Sequence, residues 1–154
     1  MEKWAVVACD QYTSEPEYWN ETAKIVGENK SALKLILPEI YLEEEGVSER
    51  IEKIQKEMAS YIESDTFTEY KNTLIYIERT QNDGKVRAGI VGAVDLEKYD
   101  YRKGSVSQVR ATEATVVERI PPRMAVRRGA GLELPHIMIL VDDPMKTVVE
   151  MVSA

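Results

Sequence analysis

The chain has 154 residues, of which 44% are hydrophobic, and it carries a formal net charge of −7. That length allows one ordinary domain with a substantial apolar core. The acidic balance argues against a protein that grips nucleic-acid backbones, because such proteins usually carry basic faces, but it still allows a small phosphorylated ligand in a local cationic pocket.

The single cysteine, Cys9, excludes an intramolecular disulfide and is typical of a reducing compartment. The N-terminus lacks the basic start and apolar core of a signal peptide. No apolar run approaches the roughly 18 residues that a membrane-spanning helix needs. We therefore expect a cytoplasmic protein whose partners include neither membranes nor nucleic acid.

The first third of the chain contains two apolar runs separated by a predicted helix. Residues 4–9 form a short apolar run that predicts a buried strand. Ser14 and Pro16 are helix-start signals, and Gly27 predicts the end of that helix. A second apolar run covers residues 33–37 and is closed by a proline.

A longer amphipathic helix is expected next, capped by Ser48 and ending near Asp65. Charged residues lie opposite its apolar stripe. The stripe comprises Ile51, Ile54, Met58, Tyr61 and Ile62.

Two β-type runs, residues 73–79 and 86–94, flank an Asp-Gly pair at positions 83–84. Asp-Gly favours a tight turn, so the pattern predicts an antiparallel hairpin. Gly89 and Gly92 leave room on the second strand for a close neighbour, either a helix or a ligand.

The remaining pattern predicts a basic connector at residues 123–131 and a buried strand at residues 134–141. Residues 145–154 resemble a helix start that is cut short, which indicates the N-terminal part of a longer protein. Strands and helices alternate irregularly around a hairpin. We therefore predict a single α+β domain over residues 1–154, with a mixed β-sheet, a central antiparallel hairpin and packed helices.

Residues 109–123 are the stretch richest in groups that can hold an anion and move a proton. They contain three arginines, two threonines and two glutamates, and end in a double proline followed by arginine. Ser105 or Ser107 is expected to cap a helix beginning near Val109, and helix N-termini bind phosphate through their free N–H groups. The alternative is a solvated helix with Arg/Glu pairs that contribute only a few tenths of a kcal/mol each.

Each polar group in this stretch has an expected role. Glu113 is the candidate general base toward a substrate hydroxyl, and Asp10 is a second catalytic candidate because loops that follow strands often carry ligands. Arginine forks and threonine hydroxyls suit phosphate oxygens. The candidate phosphate-binding residues are Arg110, Thr112, Thr115, Arg119 and Arg123.

The other polar candidates favour structural roles, and no metal site is predicted. His136 lies in an apolar run and is expected to be a hydrogen-bonded core histidine rather than a proton shuttle. Asp142 and Asp143 precede a proline and favour a cap over a Mg²⁺ site. The chain contains no GxxxxGK[ST], GxGxxG, HExxH or CxxC motif.

Four unusual strings occur in order along the chain. They are Asp10-Gln-Tyr-Thr-Ser-Glu-Pro-Glu-Tyr-Trp19, Leu35-Ile-Leu-Pro-Glu39, Arg110-Ala-Thr-Glu-Ala-Thr115 with Glu118-Arg-Ile-Pro-Pro-Arg123, and Leu134-Pro-His-Ile-Met138 followed by Asp142-Asp-Pro144. Together they resemble the bacterial and archaeal family called domain of unknown function 1015. The resemblance covers essentially the whole chain, and members of the family are considerably longer, which also implies an N-terminal part.

The family resemblance implies little chemistry. In many members the positions of residues 110–113 read Lys-Lys-His-Glu, followed by a threonine that matches Thr115. This chain keeps Glu113 and Thr115 but has Thr112 in place of the histidine, so the resemblance supplies no histidine-based mechanism here. A basic residue, a glutamate and a threonine at a helix start are also similar to the phosphate-binding helix of ParB/sulfiredoxin-like proteins, some of which are free-serine kinases.

The leading hypothesis is a small-molecule phosphotransferase or nucleotide-binding enzyme, with a phosphorylated molecule or nucleotide as partner and a nucleotide with Mg²⁺ as the candidate cofactor. The competing hypothesis is a non-catalytic ligand-binding or assembly module, or an inert fragment of a larger enzyme. The sequence leaves the substrate and the oligomeric state open.

Overall fold

The computed structural model describes residues 3–100, 102–110 and 114–153. The chain divides into two compact units, the first formed by Met1–Thr68 with Val116–Ile137 and the second by Glu69–Thr115 with Met138–Ala154. Helices together with an antiparallel sheet make the fold α+β. The elements are α1 (Pro16–Val26), α2 (Val47–Glu63), β1 (Ile75–Thr80), β2 (Val86–Val91), α3 (Ile120–Arg127) and α4 (Glu150–Ser153).

Helix α1 begins and ends where the sequence predicts. Pro16 occupies the first turn, where its missing N–H costs nothing, and Gly27 ends the helix with a positive φ of 53°. The predicted cap is wrong in one detail, because Glu15 and not Ser14 is the N-cap residue, and it makes no side-chain capping bond.

Helix α2 has the predicted apolar stripe but begins two residues earlier than expected. Gly46 adopts the left-handed conformation, with φ 93°, and serves as the N-cap, so Ser48 lies inside the helix instead of capping it. Ile62 is exposed. The buried residues of α2 are Ile51, Ile54, Met58 and Tyr61.

The predicted strand at residues 4–9 is wrong. The segment forms single hydrogen bonds with the chain at residues 31–39 and does not form a continuous ladder. The N–H of Ala32 donates to the carbonyl of Trp4 at 2.9 Å, and the N–H of Glu39 donates to the carbonyl of Cys9 at 2.8 Å. Because the partner segment coils into short 3₁₀ turns, it offers no extended edge with which a strand could pair.

The helix predicted to begin near Val109 is not found among the described residues, which exclude 111–113, and the connector predicted at residues 123–131 is wrong for residues 123–127, which lie in α3. Val109 forms an isolated bridge with Tyr99, and the helical structure begins with a 3₁₀ turn at Val117–Arg119 that leads into α3. β-Branched residues at positions 115–117 disfavour a helix. The double proline starts α3 rather than closing a helix, because proline is tolerated only in the first turn.

The core of the first unit lies between α2 and the turns of residues 32–41. Leu35 and Leu37 pack with the buried stripe of α2, and the residues of α3 that face this cluster are partly buried against it. The side-chain amide of Gln55 donates to carbonyls at the C-terminal end of α3, including that of Arg128 at 2.9 Å. This contact satisfies carbonyls that the end of a helix leaves without intrahelical partners.

The second unit contains the predicted hairpin. β1 and β2 pair antiparallel from Ile75 opposite Val91 to Thr80 opposite Val86, and Gly84 turns with φ 82°. The room left by Gly92 is taken by Leu74, whose side chain would lie 3.1 Å from an added Cβ.

The predicted wider sheet is not found among the described residues, whose only sheet is the β1–β2 pair. The predicted strand at residues 134–141 has no regular secondary structure, and residues 135–141 are exposed. His136 is therefore not the core histidine that its apolar neighbours suggest. In the described ranges no helix is both long and apolar enough to cross a membrane.

Candidate functional site

Two of the predicted phosphate-binding arginines, Arg119 and Arg123, converge on one carboxylate in the first unit. Arg119 Nη1 lies 2.9 Å from Glu39 Oε2, and Arg123 Nη2 pairs with Glu39 Oε1. The Glu39 side chain is only 5% exposed, whereas those of Arg119 and Arg123 are 50% and 44% exposed. A buried carboxylate thus orients two guanidinium groups that still reach solvent.

Local structure explains this convergence. Arg119 ends the 3₁₀ turn that precedes α3, and Arg123 lies four residues later in α3, so both side chains point to the same face of the helix. Glu39 follows Pro38 and opens a short 3₁₀ turn, with the buried Leu37 anchoring the chain just before it.

Cys9 adjoins this cluster through the backbone bond between its carbonyl and the Glu39 N–H, and Asp10, which follows it in the chain, is exposed. Burial raises the pKa of the Cys9 thiol, Arg123 opposes the rise, and the negative charges of Asp10 and Glu39 add to it. Cys9 therefore stays a neutral thiol at neutral pH. A thiol in this form is a poor nucleophile, because the thiolate is the reactive species.

The cluster can attract an anion. One carboxylate balances only one of the two guanidinium charges, and a guanidinium has five N–H donors in a fixed fork that matches carboxylate or phosphate oxygens. Arg119 binds Glu39 through Nη1 and Arg123 binds it through Nη2, and both arginine side chains are about half exposed. Each guanidinium group can therefore also donate to a ligand on the solvent side.

A family model described as "Protein of unknown function (DUF1015)" matches residues 1–154. The chain belongs to this family. No curated protein and no solved structure matches the chain. In this chain the strings at residues 35–39 and 118–123 meet where Glu39 pairs with the two arginines, and Cys9, the residue before the string at 10–19, bonds to Glu39 through its carbonyl.

The other predicted site residues of this DUF1015 protein belong to the second unit. Arg110 is exposed, and its Nε donates to the carbonyl of Ser107 at 3.0 Å. Thr115 is exposed and lies in a segment without regular structure. Thr112 and Glu113 fall outside the described residues. The roles of all four remain predictions.

The carboxylate of Asp143 caps the turn that follows it. Asp143 accepts hydrogen bonds from the Val148 N–H at 2.7 Å and the Thr147 hydroxyl at 3.1 Å, as a capping carboxylate does. Burial raises the pKa of Asp143, but these bonds outweigh it and leave the pKa below its usual value. Within the described ranges no group of three or more His, Cys, Asp or Glu side chains is placed to hold a metal ion.

Glu39 is the site residue that sequence reasoning missed. Its string contributes to the family resemblance, but a glutamate after an apolar run and a proline carries no specific chemical signal. A usable signal is the buried apolar run itself, because it places the next residue at the edge of the core. Only the fold shows that two arginines from eighty residues further along the chain meet that carboxylate.

Proposed function

We propose that the protein binds a small phosphorylated molecule through Arg119 and Arg123 and acts as a small-molecule phosphotransferase. The observation that carries the proposal is the convergence of these two half-exposed guanidinium groups on the buried carboxylate of Glu39. A pair of arginine forks held in place by a common carboxylate is a preorganised anion receptor, because less side-chain entropy is lost when the anion binds.

The proposed reaction is in-line phosphoryl transfer to a hydroxyl group. The substrate oxygen attacks the terminal phosphorus of a donor nucleotide, the bond from that phosphorus to the leaving oxygen breaks, and the hydroxyl proton passes to Glu113. Asp10, in the loop after Cys9, is the second catalytic candidate, and Arg110, Thr112 and Thr115 are the further candidate donors to phosphate oxygens.

Two further parts of the proposal rest on chemistry and composition. Mg²⁺ carried by the nucleotide would neutralise charge on its phosphate oxygens. The single cysteine supports a cytoplasmic location for such an enzyme. A distant relation to the ParB/sulfiredoxin-like proteins is part of the same proposal, and it rests on residue types alone, the basic Arg110 with Glu113 and Thr115.

Isothermal titration with inorganic phosphate and phosphoserine tests the anion site. Arg119→Ala and Arg123→Ala should each weaken binding about tenfold or more, because a charge-assisted hydrogen bond is lost. Arg127→Ala is the matched control, since Arg127 lies on the same helix, is 43% exposed and pairs with Glu133 instead of Glu39. Equal losses for all three variants, or no binding by the wild type, would refute the anion site.

A second measurement separates the enzyme from a non-catalytic binding or assembly module. Glu113→Gln should abolish phosphate transfer from a nucleoside triphosphate to serine while leaving phosphate affinity within about twofold, because the amide cannot accept the proton. If the wild type binds phosphate but transfers none to hydroxyl acceptors, the binding-module hypothesis replaces the phosphotransferase.

A further inference from the structure

A run of four apolar residues in the second unit, residues 138–141, is exposed along its whole length. Leu140 is 80% exposed, and the other three side chains are exposed as well. The run has the composition of a strand but no regular secondary structure. Consecutive apolar side chains at a surface mark an interaction site, because their removal from water favours association.

The β1–β2 hairpin of the same unit offers an edge to which such a run can add. Among the described residues its sheet has two strands, so the outer edge of β2 has no strand neighbour there. On one face of the hairpin Ile75 lies opposite Val91, and two positions along the chain Ile77 lies opposite Gly89. A Cβ added at Gly89 would meet no atom within 4 Å, which leaves room for a large side chain beside it. A two-stranded hairpin is marginally stable at best, and a third strand stabilises it.

The same face of the hairpin ends in two positive charges. Arg79 lies directly opposite Arg87, and like charges in such a cross-strand pair are destabilising. Within the described part of the chain neither guanidinium group forms an ion pair. The apolar run is followed immediately by Asp142, whose carboxylate is exposed. The run and the hairpin are therefore complementary in charge as well as in apolar character.

One antiparallel register satisfies both kinds of complementarity. When Leu140 is placed opposite Gly89 on the outer edge of β2, the pairing brings Asp142 opposite Arg87. Because side chains alternate along a strand, these residues share the face that carries the arginine pair, and the apolar residues of the two strands face each other at the open end of the hairpin. The leucine fills the space beside the glycine, and the carboxylate offsets the two like charges.

We propose that two copies of this chain form a closed dimer in which residues 138–142 of each copy add as a third strand to β2 of the other. Each chain carries both the run and the edge that complements it, so two identical contacts form about a twofold axis and the assembly closes. Main-chain hydrogen bonds along the edge supply affinity, and the alternating side chains supply the register. The dimer involves the second unit and does not depend on the anion site.

The contact within one copy shows why the partner is a second copy. Arg87 Nη1 lies 3.7 Å from Met138 Sδ of the same chain, but the run forms no ladder with β2. This contact puts a thioether at the guanidinium group that the antiparallel register pairs with Asp142, so within one chain the charges stay unmatched. Exchange between two copies frees the run to take the matched register.

Sedimentation equilibrium of the full chain tests the dimer. Wild type should be largely dimeric at about 100 µM, and Leu140→Lys should raise the dissociation constant about tenfold or more, because it places a charge in the apolar contact. Met145→Lys is the matched control, since Met145 is 79% exposed in the same unit but lies outside the run, and it should leave the dissociation constant unchanged. A monomeric wild type, or equal effects of the two lysines, would overturn the proposal.

A charge exchange tests the register and the exchange between copies. Arg87→Glu and Asp142→Arg should each weaken the dimer about tenfold or more, because each puts like charges opposite one another. An equimolar mixture of the two variants should dimerise about as tightly as wild type, since every carboxylate then faces a guanidinium group of the other copy. If the mixture stays as weak as its components, the run pairs with its own hairpin or not at all, and the dimer is excluded. Arg87→Glu that dimerises like wild type would exclude the register.

Discussion

Helix α2 and the β1–β2 hairpin both have clear apolar patterns in the sequence, but the structure buries them very differently. The stripe of α2 packs into the core of the first unit, whereas Ile75, Ile77 and Val86 of the hairpin remain exposed. All the residues that are buried as a whole, among those that the structure describes, lie in the first unit. They are Trp19, Val26, Ser31, Leu35, Leu37, Pro38, Ile51, Ile54, Met58 and Tyr61.

This difference teaches that a periodic pattern predicts an element and not its burial. Apolar burial is the main favourable contribution to folding, so we expect the free energy of unfolding to reside in the first unit. An isolated two-stranded hairpin is marginally stable at best, and we expect the second unit to open locally at much lower cost. Substitutions matched between the units test this expectation.

The largest expected effect is that of a core deletion in the first unit. Leu35 is 1% exposed, and Leu35→Ala should lower the free energy of unfolding by about 2–5 kcal/mol, because it removes packed atoms and leaves a cavity. In the second unit, Leu96 is 75% exposed, and Leu96→Ala should change the free energy of unfolding by less than about 0.5 kcal/mol. Urea unfolding followed by circular dichroism measures the free energy of unfolding of both variants. Similar losses for Leu35→Ala and Leu96→Ala would show that the first unit does not contribute most of the stability.

The next effect concerns the ion pairs of the first unit. Glu39→Gln leaves Arg119 and Arg123 without their carboxylate and should destabilise the protein by about 1–2 kcal/mol. That is less than for a fully buried pair, because both guanidinium groups are half exposed. Glu133→Gln is the matched change at a pair exposed on both sides, and thermal unfolding should show a loss below about 1 kcal/mol. A larger loss for Glu133→Gln would contradict the special position of Glu39.

A smaller effect is expected in the hairpin. Gly84 has φ 82°, so Gly84→Ala strains the turn and should destabilise the hairpin by about 1 kcal/mol. At Gly89 an added Cβ meets no atom within 4 Å, and Gly89→Ala should be neutral or slightly stabilising. Amide hydrogen exchange should report the change in β1 and β2 only. Faster exchange in α2 as well would show that the two units unfold together.

The smallest expected effect is a pH dependence in the loop after the hairpin. Hydrogen bonds from the side chain and backbone of Arg102 hold the pKa of Asp100 below its usual value. A depressed folded-state pKa means that the stabilisation is present above the unfolded-state value and is lost as the pH falls below about 4. Two-dimensional NMR should show the Arg102 amide losing its hydrogen-bonded shift in that range. In Arg102→Ala the Asp100 pKa should return toward its usual value, and an unchanged pKa would exclude the pair as its cause.

The sequence predicts the family, helices α1 and α2, and the hairpin. Each of these features depends on residues that are close together in the chain. Pro16, Gly27 and Gly84 determine backbone conformation by their own stereochemistry, and the stripe of α2 repeats with the period of a helix. Arg119 and Arg123 were candidates from their residue type alone. For these features a short window of sequence contains the physical cause.

The tertiary structure decided where apolar runs and polar groups find partners. The runs at residues 4–9 and 134–141 have the composition of strands, but neither forms one. A strand needs a neighbouring strand edge, and a local sequence pattern does not predict hydrogen bonds to distant residues. In the same way, the buried carboxylate of Glu39 meets two arginines that lie eighty or more residues away along the chain, and Tyr12 is held at a positive φ by the indole of Trp19. Local composition therefore determined which groups could bind an anion, and only the fold decided which of them share one carboxylate.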